Sequence, residues 1–377
     1  MGSARPKSRF AGSGSRVSES LSVSVLRAPE EVASLREEWN ARALAERPSL
    51  YRTFEWVDSL WLSHFDRQNV QFLVLRRDGR LEGVVPITRR AIRKGPLPLT
   101  HRGLLTNSYG RNHNDLILFG DPAEAFLATL AHLRRDGWDV FLLGSIPDES
   151  PTRTLVARLE SEGGYRAVVE PYAISPYRTL EGTWEDFLRG QSANFRADLK
   201  RKWVKVKDLS PEFRHFTKAS EVPAYLDAVY RIEESSWKEG SGTSITTQPS
   251  ARRFYDEFLP RAAANGWFLG IVLELEGEPA AYDMGILLAG KYYMLKTSYA
   301  QRFRDKSPGI VLRQHVMPLL YERGIAEHDF LGDDEEWKMR WTNTVRRHAN
   351  LYLYNRRSPA AALFLAARNI LRRPTGA

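Results

Sequence analysis

Between Tyr292 and Lys338 the chain reads YYMLKTSYAQRFRDKSPGIVLRQHVMPLLYERGIAEHDFLGDDEEWK. This stretch most constrains the fold. Tyr292 to Tyr299 has the aromatic, apolar character of a strand. The basic segment with Arg302, Arg304 and Lys306 follows. Ser307-Pro308-Gly309 then opens a helix, with Ser307 as the expected N-cap and Pro308 at the first helical position. Leu312, Val316, Leu319 and Leu320 give that helix one apolar face to about Arg323. Gly324 ends it, and Glu327 to Leu331 reads as a second strand. A strand, a basic turn and a helix start bring free N–H groups, a partial positive charge and three cations together. That arrangement suits a phosphate, although a capped turn with solvated arginines has the same local pattern.

The chain has 377 residues, enough for about two domains. Its hydrophobic fraction of 42% predicts a proper core. No apolar run approaches the roughly 20 residues of a membrane span. Residues 1–20 are rich in Ser, Gly and Arg without a signal-peptide core, and are expected to be a disordered leader. Cysteine is absent, which excludes disulfides, thiolate metal sites and an acyl-cysteine intermediate and fits a cytoplasmic protein. A net charge of +9 suits a polyanionic partner, whether nucleic acid, membrane surface or a phosphate-bearing small molecule.

Two halves are expected. In the first, helices are predicted over Pro29–Arg47, Phe54–Phe65, Pro122–Arg135 and Thr152–Glu162. Its strands include a Gln71–Arg76/Leu81–Arg90 hairpin about Asp78-Gly79, with a basic turn over Arg93–Pro98. In the second, a helical segment from Trp184 through Lys207 precedes a strand, two helices, and a Trp267–Leu275/Ala280–Leu288 hairpin about Glu276-Gly277. The last strand is expected over Ala349–Asn355, and Pro359–Arg373 is a basic amphipathic tail helix. The two hairpins and the segments Arg27–Val32 and Lys218–Val222 suggest a duplication. No nucleotide-binding glycine motif, His-Glu-x-x-His or Gly-x-Ser-x-Gly is present, so kinase, dehydrogenase, metalloenzyme and serine-hydrolase readings lose support, and no metal is expected.

The order of features from Ser175 to Arg357 resembles the GNAT acyltransferase superfamily. Within it, Ser307-Pro308-Gly309, Gly324, Asp329-Phe330, Gly332 and Trp337-Lys338 resemble the FemAB-like and CelD-like branch. Trp337 replaces that branch's usual Tyr, and the Arg/Gln-x-x-Gly-x-Gly/Ala signature is absent. The resemblance implies an α/β protein of two tandem GNAT-like domains, each a mixed, mostly antiparallel sheet flanked by helices. The first would span 21–180, the second, carrying the acyltransferase site, 181–357, and the basic helix 358–377. The first copy is read as a degenerate one that shapes the acceptor side.

The resemblance also implies direct attack by an amine or hydroxyl of a small molecule or saccharide precursor on an acyl-CoA thioester. Arg302, Arg304, Lys306 and the Ser307-Pro308-Gly309-Ile310 backbone would hold the donor's phosphates, and the strand edge from Leu295 to Ser298 its thioester. Asp283, Asp329 and Asp333 are base candidates. Asp283, on an apolar strand, is either raised in pKa by burial or paired with a cation. Each carboxylate has an ion-pair or capping role as its alternative. Tyr299 and Tyr293 are acid candidates. Lys338 is either substrate-binding or a salt-bridge partner. Trp337, Asp333, Trp237 and Lys238 are assigned to the acceptor pocket. Asn107 to Asp115 either faces the cleft or is a solvated loop.

Arg189 to Lys207 carries seven basic residues and one acid, with Phe195, Leu199, Trp203 and Val206 on one face. It is either a solvated helix or a grip on a polyanion. FemAB-type relatives take an aminoacyl group from aminoacyl-tRNA, so tRNA is the alternative donor; their coiled-coil arm is not visible here. A non-catalytic CoA- or nucleotide-binding protein is the second alternative.

Overall fold

Two turns in which both central residues take positive φ, Asp78-Gly79 (50° and 78°) and Glu276-Gly277 (56° and 76°), close the same hairpin in each half. This backbone matches the right-handed twist of paired strands, and glycine adopts it without steric cost. The computed structural model describes residues 21–94, 97–106, 113–135, 137–236 and 244–371.

The first half runs β1 (Ser22–Leu26), α1 (Pro29–Ala33), α2 (Arg36–Glu46), α3 (Phe54–Ser63), β2 (Val70–Arg77), β3 (Arg80–Lys94), β4 (Leu97–Leu104), β5 (Ile117–Leu118), α4 (Pro122–Arg134), β6 (Val140–Pro147), α5 (Pro151–Ser161) and β7 (Tyr165–Thr179). The second runs α6 (Trp184–Gly190), α7 (Ala193–Val204), β8 (Glu212–Phe216), α8 (Val222–Glu234), α9 (Pro249–Ala264), β9 (Phe268–Leu275), β10 (Glu278–Leu288), β11 (Lys291–Tyr299), α10 (Pro308–Glu322), β12 (Glu327–Asp329), α11 (Glu336–Met339), β13 (Thr344–Asn355) and α12 (Pro359–Leu371). The fold is α/β, a mixed sheet flanked by helices.

Among the described residues the strands form one sheet in the order β1-β2-β3-β4-β6-β13-β7-β12-β11-β10-β9-β8, with β5 beside β3. Each half contains an antiparallel pair followed by a short parallel one: β3–β4 then β4–β6, and β10–β11 then β11–β12. The halves meet through β7 and β13. β13 lies antiparallel between β6 and β7, and β7 pairs in turn with β12, Asp329 facing Tyr177.

One core binds both halves on one sheet face, where α1, α2 and α3 meet α8 and α9. Trp56 of α3 stands edge-on to Phe254 and Phe258 of α9 at 4.9 and 5.1 Å, a favourable aromatic geometry. On the other face, α4 and α5 cover the first half-sheet, and α6, α7 and α10 the second. The tail helix α12 docks on the body: Phe364 stacks on Tyr354 and Arg368 pairs with Glu170.

Local readings change in four places. The expected helix from Trp184 through Lys207 is two helices, because Ser192 starts a new one by accepting a hydrogen bond from Phe195 N (3.1 Å). β3 and β4 extend to flank the expected Arg93–Pro98 turn as a longer hairpin. The last strand begins at Thr344 rather than Ala349. Ser307 makes no side-chain cap; it sits at φ 57°, turning the chain into α10 through left-handed backbone.

Candidate active site

β11 and β12 pair at only three positions: Lys291 with Glu327, Tyr292 with His328, and Tyr293 with Asp329. Beyond them the strands part. On β11 the register with β10 jumps from Met284–Lys296 to Gly285–Met294, so Leu295 is an extra residue, a bulge that bends the strand. On the other arm, Phe330 N donates to Pro176 O (3.0 Å), and Leu331 and Gly332 take φ of 49° and 62°, turning the chain away. From Met294 to Tyr299, β11 pairs with β10 alone among the described strands. Ser298 lies on this open stretch, buried, its Oγ without a hydrogen-bond partner among the described residues.

A 3-10 turn over Gln301–Lys306 leads from β11 to α10. Tyr299 lies beside the helix start, where a Cβ added at Gly309 would meet its ring at 3.9 Å. Pro308 is buried, while Gly309 and Ile310 remain partly accessible at the positive end of the helix. Arg302 pairs with Glu278 and lies over Phe303, and Lys306 pairs with Asp305 at 3.1 Å. These exposed pairs are weak and leave both cations free to re-pair with a phosphate. Arg304 is exposed. Lys205, just past α7, donates to Asp305 O at 2.9 Å, bringing the basic helix alongside this turn.

Asp283 and Asp329 lie on opposite faces of the sheet. Asp283 is fully buried beneath α10, paired with Arg313 and accepting a hydrogen bond from Tyr292 Oη at 2.8 Å. Burial pushes its carboxyl up, against the pull of Arg313 and Tyr292. Arg313 also reaches His328 Nε2 (3.1 Å), so the pair ties α10 to β10 and β12. Gly285 makes room for this network; a Cβ there would lie 2.0 Å from the Tyr292 ring.

Asp329 is 1% exposed and opens into a cavity of about 250 Å³ between the halves. The first half contributes Tyr51, His113, Asp115 and Glu149 to its wall, and the second Lys291, Tyr293 and Arg346. Asp329 Oδ1 accepts from Leu331 N (3.0 Å) and Oδ2 from Arg346 Nη1 (2.8 Å). Burial pushes its carboxyl up to about 7 despite Arg346. Burial also works against the charge on Arg346, yet Asp329, Glu327 and Glu149 together hold its guanidinium above its usual value. Burial, with Asp329 next, raises the Tyr293 hydroxyl.

The remaining expected site residues lie elsewhere. Lys338 Nζ donates to Leu331 O (2.9 Å) and Asp333 O (3.1 Å) and pairs with Glu335 (3.0 Å). An ammonium has three donors, so all are engaged in holding the loop after β12. Trp337 Nε1 donates to the same Glu335 carboxylate at 3.0 Å. Trp237 and Lys238 fall outside the described residues.

Sequence reasoning missed Tyr51, Arg346, His348 and Ser175. The polar run around His113 and Asp115 was the signal for the first-half wall; Arg346 and His348 sat just before the expected start of the last strand. Asp115 accepts from Ser150 Oγ (2.8 Å) and Thr152 Oγ1 (2.5 Å), fixing the start of α5 at the cavity rim. Among the described residues no group of three or more His, Asp or Glu could hold a metal, and no helix is long and apolar enough to cross a membrane.

Solved structures share this fold. FemX matches with a TM-score of 0.58 at 12% identity, covering 87% of this chain and 98% of its own. L-PGS from Bacillus licheniformis matches at 0.51 and 14%, covering 92% and 98%. The C-terminal domain of a putative lysylphosphatidylglycerol synthetase from Agrobacterium fabrum matches at 0.51 and 12%, covering 89% and 96%. Among curated proteins none matches. Residues 193–339, from the start of α7 to the end of α11, match the family model described as an acetyltransferase (GNAT) domain, so this part of the second half is similar to that family.

Proposed function

We propose that this protein transfers an acyl group from acyl-CoA to an amine or hydroxyl of a small molecule or saccharide precursor held between its halves, as a member of the FemAB-like and CelD-like branch. One observation carries the reading: the β11–β12 fork opens immediately past Asp329, the buried carboxyl that also faces the cavity shared by both halves. The donor's phosphates rest at the start of α10, with Arg304 and Lys306 beside it. Its thioester lies along the open edge of β11, where backbone groups and Ser298 Oγ supply hydrogen bonds to the oxygen as charge develops.

The acceptor nucleophile attacks the thioester carbon. A new carbon–nitrogen or carbon–oxygen bond forms and the carbon–sulfur bond breaks. The nucleophile's proton passes to the ionised Asp329 carboxylate, whose raised pKa suits a base near neutral pH. Tyr299, beside the helix start, protonates the leaving thiolate and recovers its proton from solvent. Asp283 anchors α10 and Lys338 anchors the loop after β12.

Aminoacyl-tRNA is the second donor reading. It is favoured by α7 and the residues after it, where Lys200, Arg201, Trp203, Lys205 and Lys207 are exposed next to the phosphate turn. Calorimetric titration with CoA, acetyl-CoA and longer acyl-CoAs, alongside a charged tRNA pool, separates the two. Micromolar binding that improves with one acyl length supports acyl-CoA. No response to any CoA with salt-sensitive tRNA binding would replace it.

A further inference from the structure

A chain of hydrogen bonds through residues of both halves approaches Asp329. His348 Nδ1 lies 3.4 Å from Ser145 O, Ser175 Oγ lies 2.9 Å from His348 Nε2, and His113 Nε2 lies 3.3 Å from Ser175 Oγ and 3.4 Å from Asp329 Oδ2. The His113 ring is packed between His348 (4.6 Å) and Tyr51 (5.2 Å). Ser145, His348, Ser175 and His113 come from four segments, and Ser175 and His348 sit on the two strands that join the halves.

The donor at each link follows from the first. A carbonyl only accepts, so His348 Nδ1 carries a proton. Burial, reinforced by Arg346, lowers the His348 pKa, so the ring is neutral and its Nε2 is bare. Ser175 therefore donates its single proton to that nitrogen. Its Oγ must then accept from His113, whose Nε2 carries the hydrogen. Burial, with His348 and Arg346 next, also keeps His113 neutral. Ser145 takes φ of 58°, and its carbonyl also accepts from Asn114 N at 3.2 Å, which fixes the first link beside His113.

We propose that His113 is a positioning residue for proton transfer at Asp329: the Ser145–His348–Ser175 chain fixes its tautomer, so that the protonated Nε2, its one hydrogen shared between Ser175 Oγ and Asp329 Oδ2, always faces the carboxylate. This rests on Asp329 being the group that takes the acceptor's proton. With Nε2 protonated, His113 stabilises the ionised carboxylate and does not compete for the incoming proton. With the other tautomer, a bare nitrogen would face the carboxylate oxygen and hold it protonated. The other groups around Asp329 are Arg346 from β13, Lys291 and Tyr293 from β11, Glu327 from β12, and Tyr51 from the turn before α3. Asp148 and Glu149 act on His348.

The spectroscopic part of the test needs no acceptor. Imidazole nitrogen spectra of the full chain report the tautomers, and carboxyl-carbon titration reports Asp329, assigned by its loss in Asp329→Asn. The expected wild-type result is His113 in the Nε2–H form. Ser175→Ala and His348→Leu should allow the other tautomer and move the Asp329 midpoint up by about half a pH unit, as the shared N–H facing the carboxylate gives way to a bare nitrogen. His348→Gln, whose amide accepts at one atom and donates at the other, should restore both signals. An Nδ1–H tautomer in the wild type, or an unmoved midpoint in Ser175→Ala and His348→Leu, would overturn the proposal. Full turnover in Asp329→Asn would instead remove the reading of Asp329 on which it rests, whatever the spectra show.

Discussion

Tyr293 and Asp329 are the last pair joining β11 to β12, and both turn toward the cavity shared by the halves. In the proposed reaction, donor edge and acceptor chamber meet at this one strand pair, with the Asp329 carboxylate at the junction.

Asp329→Asn should lower kcat by about 100- to 10,000-fold, the usual range for a lost general base, while donor affinity measured by calorimetry stays unchanged. In the wild type, kcat/KM should rise with pH through a midpoint near 7, following ionisation of this carboxyl. An Asn variant with wild-type turnover would place the base elsewhere.

The same group predicts a stability slope. Its folded pKa is raised, so between 3.8 and about 7 the native state holds a proton that the unfolded chain has released. Its contribution is complete below that window and declines as pH rises through it. Denaturant melts across this range should show the decline, and Asp329→Asn should flatten it.

Asp283 should behave as an anchor. Arg313→Leu leaves its carboxylate buried and unpaired and should destabilise the fold by about 3–5 kcal/mol. Replacing both Asp283 and Arg313 with Leu should recover much of the loss. Asp283→Asn, if folded, should keep turnover per molecule; its loss with intact stability would return Asp283 to the chemistry.

Gly285→Ala should destabilise by about 1–3 kcal/mol, because the added methyl meets the Tyr292 ring held against Asp283. Urea melts would measure this directly.

Arg304→Ala combined with Lys306→Ala should weaken CoA binding without changing the unfolding midpoint. Both side chains lie outside the core, so lost affinity would report on the phosphate turn rather than on folding. Unchanged affinity would move the donor site away from this turn.

Features governed by local chemistry were legible in the sequence. The Asp78-Gly79 and Glu276-Gly277 turns announce their hairpins because only certain residues accept positive φ at both positions. The apolar stripe of α10 and the Pro308 start likewise follow from neighbouring residues. Ser307 misled because a serine before a helix usually caps it, whereas here it supplies a left-handed turn. The cavity was legible only in pieces, through Asp329, Tyr293 and the polar run ending at Asp115. Tyr51, His113, Glu149, Asp329 and Arg346 share no local pattern, and they meet only because β7 and β13 bring the half-sheets together. Ser175 and His348 are 173 residues apart and form a hydrogen bond for the same reason.

The position of β13 has a consequence for how this molecule assembles. A strand from the end of the second half completes the sheet of the first, so a fragment comprising residues 1–180 would leave the long edges of β6 and β7 unpaired, a template for aggregation. Contacts of such long sequence separation form slowly, since their loop must close before they stabilise anything. Folding of the two halves is therefore coupled through one late-synthesised strand, and the likeness of their hairpins does not make the halves separable modules. Exchanging one half requires carrying β13 with the half whose sheet it completes.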